Sequence, residues 1–455
     1  MKTIYNSILF IIIGILTPIL TQAQELDPAL KDLINKGISK NHEVKRIDFE
    51  SDQAKIDQNL AKSVFIPKIT LNASYTRLND DIKFDDNTQT LLTGTQKLLI
   101  KEYAGVPFNV PLPASVPLQD VPNIQDKNIL KSSADLNWVL FSGFEAYNAL
   151  EASKHKQASI DYKGEIEKDK VALTIIEIYD KLALVANSSK VLLSSEKYLK
   201  KQEEYVLKAI ENGLATPLDR KKIEIAKQQL IGKQLQFKNN RTLLIEVLHQ
   251  LTGENKEVLN SIDYKLQTFT NSTTNEAQIR NEIKALKEAE KATFYKAKME
   301  RNNFIPKVAL QGHYEFIDQN LSLLDPKWYV GVGVKWNVFN GFESQLKSNK
   351  TKIDAYRYQE QIKETEELIA LSIIKSQLNY ETTIQNTLIV QKEIELSDET
   401  YELTTKQYKN GLSSINEVLD ALNNLEKANF KIQTSYFNER RAFIDLLHAK
   451  GIFNY

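Results

Sequence analysis

The chain repeats itself, and the repeat limits what it can fold into. Trp138, Gly143 and Gly213 recur as Trp336, Gly341 and Gly411, each pair 198 residues apart. The neighbouring residues recur with them. Ser142-Gly143-Phe144-Glu145 corresponds to Asn340-Gly341-Phe342-Glu343, and Asn212-Gly213-Leu214 to Asn410-Gly411-Leu412. Self-similarity at a fixed spacing means two copies of one supersecondary unit, so both halves must be built alike. Each unit reads as two strands feeding a helix far longer than a globular core needs.

The strands announce themselves by a period of two. After Phe65-Ile66-Pro67-Lys68, the residues Ile69, Leu71, Ala73 and Tyr75 alternate with Thr70, Asn72 and Ser74. After Phe304-Ile305-Pro306-Lys307, Val308, Leu310, Gly312 and Tyr314 do the same. The returning strands alternate too, as Ala134, Leu136, Trp138 and Leu140, and as Trp328, Val330, Val332, Val334 and Trp336. This is the signature of half-buried strands, expected at about 67–79, 131–141, 306–317 and 328–339. All three tryptophans, Trp138, Trp328 and Trp336, fall in them. Taken alone, that placement fits the aromatic girdle of a membrane barrel and the core of an ordinary sandwich equally well.

The first hairpin loop is about 41 residues longer than the second, counted from Pro67 to Gly143 against Pro306 to Gly341. It carries Asp80-Asp81, Asp85-Asp86 and five prolines. The aspartates lack the Gly and spaced Glu of a calcium loop, so the stretch 79–130 is read as a solvated surface loop.

Long helices are expected at 143–211 and 341–409. Residues 144–211 hold no proline and one glycine. Within them Ile175, Ile178, Leu182, Val185, Leu192, Leu199, Val206 and Ile210 step by threes and fours. Such a helix reaches about 100 Å. Asn-Gly ends each one as a left-handed cap. Thr216-Pro217 and the capping box Ser414–Glu417 restart return helices at 217–251 and 415–450. These span only half of the long helix. Helices at 26–62 and 275–303 have the missing length. The repeats are thus 24–252 and 275–455, joined by an irregular segment at 253–274.

Residues 1–23 read as a signal peptide: Lys2, an apolar run from Ile8 to Leu20, then Thr21-Gln22-Ala23. No later apolar run is long enough for a spanning helix, so an exported chain that enters a membrane must do so with strands. Lys+Arg and Asp+Glu are both 59, which gives no case for nucleic acid. Cysteine is absent. The histidines, His42, His155, His249, His313 and His448, lack metal-ligand spacing, and no phosphate loop or nucleophile elbow occurs. No enzyme, cofactor or metal site is expected. Four strands cannot close a barrel, since the smallest bacterial ones use about eight. In lipid, several copies would have to share one sheet.

A signal peptide, a duplicated helix–strand–strand–long helix–short helix order, the Phe-Ile-Pro-Lys strand starts, the Gly-Phe-Glu corners and the Asn-Gly-Leu hairpins together resemble the TolC-like outer-membrane efflux family. The resemblance covers essentially the whole mature chain. It implies a mainly α fold with membrane β-strands. Three copies would form a 12-stranded outer-membrane barrel on a 12-helix periplasmic barrel. It also implies a passive exit duct whose partners are outer-membrane lipid, a periplasmic adaptor and an inner-membrane pump. By the same resemblance, Gly213, Leu214 and Thr216, with Gly411, Leu412 and Ser413, would dock the adaptor at the hairpin tips, near Asp219, Glu417 and Asp420. Tyr75, Trp138, Tyr314, Trp328 and Trp336 would form the barrel girdle. The alternative is an exported coiled-coil scaffold, which explains the helices but not four alternating strands holding every Trp.

Overall fold

In the computed structural model the described residues are 26–266, 276–317 and 325–455. The expected signal peptide lies outside them, as does part of the join between the repeats. In chain order the elements are α1 (Pro28–Lys40), α2 (His42–Ser63), β1 (Lys68–Arg77), α3 (Asp86–Tyr103), β2 (Asn128–Phe141), α4 (Glu145–Glu211) and α5 (Pro217–Thr252). Then follow α6 (Lys256–Ser261), α7 (Asn281–Arg301), β3 (Lys307–Glu315), β4 (Trp328–Lys335), α8 (Glu343–Lys409) and α9 (Ile415–Ala449). The two long helices, α4 and α8, are each 67 residues.

Four expectations need correction. The helix at 26–62 is two helices. Asn41 breaks it with extended backbone, and its Oδ1 accepts from the N–H groups of Glu43 and Val44, so it caps α2. The first hairpin loop is not wholly irregular, because α3 occupies its middle, started by Asp85 accepting from Thr88 N at 2.8 Å. The join between repeats contains the short α6, capped by Asn255. Finally, β4 stops at Lys335, opposite Lys307, and leaves Trp336 beyond its end. Pro306 precedes Lys307 and has no N–H to extend the ladder.

The chain forms two compact units. The helical unit comprises residues 26–48, 162–284 and 364–455. In one of its cores Leu30, Leu33 and Ile34 of α1 meet Ile175, Ile176, Tyr179 and Leu182 of α4 and Leu248 of α5. In another, Leu192, Leu199 and Val206 of α4 lie seven apart and meet Ile223 and Leu230 of α5, also seven apart, with Val418, Leu422 and Leu425 of α9. Sevens, threes and fours are the coiled-coil spacing, which keeps one seam of each helix on its partner. Each fully buried Leu or Ile here contributes roughly 1.5–3 kcal/mol. The stripe expected along α4 is this seam. The glutamate that interrupts it at Glu203 is paired at the surface with Lys227, 2.9 Å away.

The other unit comprises residues 49–161 and 285–363. It holds one antiparallel sheet in the order β1-β2-β3-β4, with β1 and β4 as its edges. Ile69 lies opposite Leu136, Leu136 opposite Gly312, and Gly312 opposite Val330. One irregularity interrupts the β2–β3 ladder between Val139 and Phe141. At the strand-to-helix corners two successive residues are left-handed: Gly143 and Phe144 (φ 65° and 62°), and Gly341 and Phe342 (φ 65° and 63°). Glycine takes that conformation freely, whereas phenylalanine is strained by about 1–3 kcal/mol. Each ring sits edge-on to the phenylalanine three residues before it, Phe144 on Phe141 and Phe342 on Phe339, at 5.2 Å in both repeats. An edge-to-face pair returns about 0.5–1.5 kcal/mol.

Candidate functional site

Two surfaces stand out: the hairpin tips of the helical unit, and the two faces of the sheet.

At each tip the long helix ends in the same way. Leu214 N–H bonds to Ala209 O at 2.7 Å and Gly213 N–H to Ile210 O at 3.0 Å. Leu412 and Gly411 bond likewise to Gln407 O and Tyr408 O, at 2.9 and 3.0 Å. This double closure needs a left-handed residue, and Gly213 and Gly411 supply it with φ of 74° and 75°. The next helix then starts in a capping box, Thr216 with Asp219 and Ser414 with Glu417. The turn leaves Leu214 and Leu412 as projecting knobs, 79 % and 77 % exposed. Of the six residues expected at the tips, Thr216 is thus spent on the cap. Its repeat partner is Ser414 rather than Ser413, whose hydroxyl meets the Glu417 carboxylate. Asp219 and Glu417 are engaged in the caps as well.

Behind the tips α4 and α8 pack through aromatic pairs that recur every seven residues, Tyr198 on Tyr401 at 5.1 Å and Tyr205 on Tyr408 at 5.8 Å. Gln202 lies between them and donates to Tyr401 Oη at 3.1 Å. Burial pushes the Tyr408 phenol up to about 12, helped by the nearby Asp219 charge, so it stays neutral.

The sheet has two unlike faces. Ile69, Leu71, Tyr75, Leu136, Trp138, Leu310, Tyr314, Val330, Val332 and Val334 share one face by register, and no core covers it. On the other face Asp135 binds Asn72 at 2.5 Å and His313 Nδ1 at 2.7 Å, and the His313 ring stacks on Tyr329 at 5.2 Å. The five expected girdle residues divide between the sheet's ends. Tyr75, Tyr314 and Trp328 lie toward the hairpin loops, and Trp138 and Trp336 toward the helical corners. Both corner tryptophans donate Nε1–H to the carbonyl of a strand-start phenylalanine, Trp138 to Phe65 at 2.9 Å and Trp336 to Phe304 at 3.0 Å. That tie, and the exposed Phe144 and Phe342, were not foreseen. The only sequence signal was the recurrence of these residues in both repeats.

The described residues contain no cluster of three metal-ligating side chains, and no helix among them is long and apolar enough to cross a membrane. A polar cavity of about 420 Å³ in the helical unit is lined in part by Asp169, Arg280, Glu282, His448 and Tyr455. Burial pushes Asp169 up to about 6 despite its bond to the Tyr455 phenol, and burial lowers His448. Arg280 is paired with Glu282.

Residues 274–436 match the family model of the outer membrane efflux proteins. The chain resembles that family. In fold it is similar to the outer membrane protein VceC of Vibrio cholerae, with a TM-score of 0.71 at 14% identity over 93% of this chain and 96% of that one. The CmeC outer membrane channel of Campylobacter jejuni gives 0.67 at 18% identity, covering 94% and 87%. The MtrE outer membrane channel of Neisseria gonorrhoeae, solved in an open state, gives 0.67 at 13% identity, covering 93% and 89%. No curated protein sequence matches. The mainly helical fold is therefore shared with these proteins over nearly the whole chain. The family-model match itself falls on α7, the second repeat's strands, α8 and most of α9.

Proposed function

We propose that this chain is an outer-membrane exit duct of an export system, assembled from three copies. The observation that carries the reading is the sheet of β1 to β4. One face is continuously apolar and uncovered, the other is polar, and both edges are unpaired. An open edge in lipid would leave N–H and C=O groups unsatisfied at several kcal/mol each. Strand-sharing among copies removes the edges, and three copies give twelve strands. From Trp328 to Trp336 the chain runs eight residues, about 26 Å, which at the ~40° tilt of such strands rises about 20 Å, near the ~25 Å apolar band of such barrels. The girdle residues at the two ends of the sheet would then sit at the two headgroup levels.

The polar face, with Asp135 and His313, would line the lumen, and the helical unit would extend it as a tunnel in the periplasm. The duct is passive, and energy comes from an inner-membrane pump reached through a periplasmic adaptor. The Leu214 and Leu412 knobs, held on rigid caps, would be the adaptor's docking points. A coiled-coil scaffold would leave the apolar sheet face without a role. The test is the mass and heat-dependent gel mobility of protein extracted from outer membranes in mild detergent. A three-chain species that collapses on boiling supports the duct. A water-soluble monomer or dimer absent from membranes overturns it.

A further inference from the structure

The duct reading names no cargo, and the charges on the polar face of the sheet narrow the choice. The inference rests on that reading, in which this face lines the lumen. By register the face carries Lys68 on β1, Lys131 and Asp135 on β2, Lys307, His313 and Glu315 on β3, and Lys335 on β4.

The carboxylates of this face and of its corners are engaged. Asp325 sits 2.7 Å from Lys131. Glu145 pairs with Lys307 at one corner, and Glu343 is held by Lys347 of its own helix at the other, at 2.6 Å. Glu315 is 2% exposed and accepts from Ser132 N–H. Asp135 is spent on Asn72 and His313, and it lies on the loop side of both Lys68 and Lys335. Those two lysines are exposed, and neither makes an ion pair among the described residues.

We propose that the corner-side part of the lumen is a cationic filter that favours anionic cargo, with Lys335 and Lys68 as its charges. They lie on β4 and β1, the two edge strands. Strand-sharing therefore places both at every boundary between copies. Rings of lysine select anions as rings of acids select cations. Lys335 lies directly opposite Lys307, and like charges so placed repel. Glu145 relieves that repulsion by neutralising Lys307. Lys335 is left as the charge that water and cargo meet.

The rest of β4 keeps that charge accessible. The residues before Lys335 on the same face are Gly333 and Gly331. A Cβ built on Gly331 meets nothing within 4 Å, and one on Gly333 meets only the Gln311 amide, no closer than 3.7 Å. No side chain of β4 between Tyr329 and Lys335 screens the ammonium group. Gln311 and Asn137, exposed on the same face, offer hydrogen bonds without adding charge.

The absence of cysteine makes the test clean. Gly333→Cys is introduced into the full chain, where the contact with Gln311 leaves it room. In outer-membrane fragments its thiol is modified by two methanethiosulfonates of similar size, one bearing a sulfonate and one a trimethylammonium. Each rate is taken relative to that of a free thiol, so their ratio cancels any change in the thiol's own ionisation. The thiol is the next same-face position to Lys335, about 7 Å away. At 0.1 M salt one lysine at that distance should favour the anionic reagent about threefold. The preference should fade at 1 M salt, where the Debye length is about 3 Å. Lys335→Gln should weaken it, Lys335→Glu should invert it, and adding Lys68→Glu should deepen the inversion. Equal rates for the two reagents, or a preference that neither Lys335 variant moves, overturns the filter and leaves the duct standing. A thiol that neither reagent reaches in membrane-inserted protein overturns the lumen, and the duct with it.

Discussion

The buried ion pair of the helical unit allows a quantitative test. Asp180 of α4 and Arg440 of α9 are 0% and 3% exposed in their side chains, with Arg440 Nε 2.7 Å from Asp180 Oδ1. Burial pushes the Asp180 carboxyl up to about 6, against the opposing pull of Arg440 and Arg441. With charge centres about 4 Å apart and an effective dielectric near 20, the attraction is roughly 4 kcal/mol. Desolvation of both groups offsets much of it, so the intact pair adds little net stability. Removing one partner is different, because it leaves the other charge buried at about 3–5 kcal/mol.

The two removals should not behave alike. Arginine cannot release its proton, so Asp180→Leu should cost that amount at every pH. In Arg440→Leu, Asp180 can escape by taking a proton. Its folded pKa already lies above the unfolded value, so ionisation penalises the folded state, and stability is lost as pH rises through the folded pKa. Without Arg440 that pKa climbs further. The variant should therefore be destabilised at pH 8 and recover by about 1.4 kcal/mol per pH unit as the pH falls toward 5. Helical circular dichroism of detergent-extracted protein is the assay, since all three tryptophans lie in or beside the sheet and report the other unit. At about 2–4 °C per kcal/mol, Asp180→Leu should melt roughly 10 °C lower. Identical pH profiles for the two variants, or a shift under about 2 °C for Asp180→Leu, would refute the buried, desolvated pair.

Three further outcomes follow. Deleting about residues 85–125, which removes α3, should leave membrane insertion and heat-modifiable mobility unchanged, because β1 and β2 pair without it and the second hairpin loop is short. Val332→Lys on the apolar face should cost about 2–4 kcal/mol at mid-depth and deplete the protein from outer membranes, whereas Thr70→Lys on the polar face should be tolerated, as read by membrane-fraction yield. Leu214→Asp combined with Leu412→Asp should keep the oligomer but abolish adaptor cross-linking and export, since both knobs are exposed and outside the caps.

What could be read from the residues alone was whatever is local or periodic. The tips followed from turn chemistry, Asn-Gly and then Thr or Ser, and the sheet faces from a period of two. The break at Asn41 was missed because the charge pattern runs on through it, although an Asn that can cap the residues two and three positions on is itself a local signal. Helix α3 was missed because flanking aspartates and prolines outweighed an 18-residue run without proline. The 198-residue spacing pairs Thr216 with Ser414, the cap of α9, and sets Ser413 one position before it. Nothing local marks Asp135 with His313 or Asp180 with Arg440. Those pairs lie 178 and 260 residues apart and meet only through strand register and helix packing.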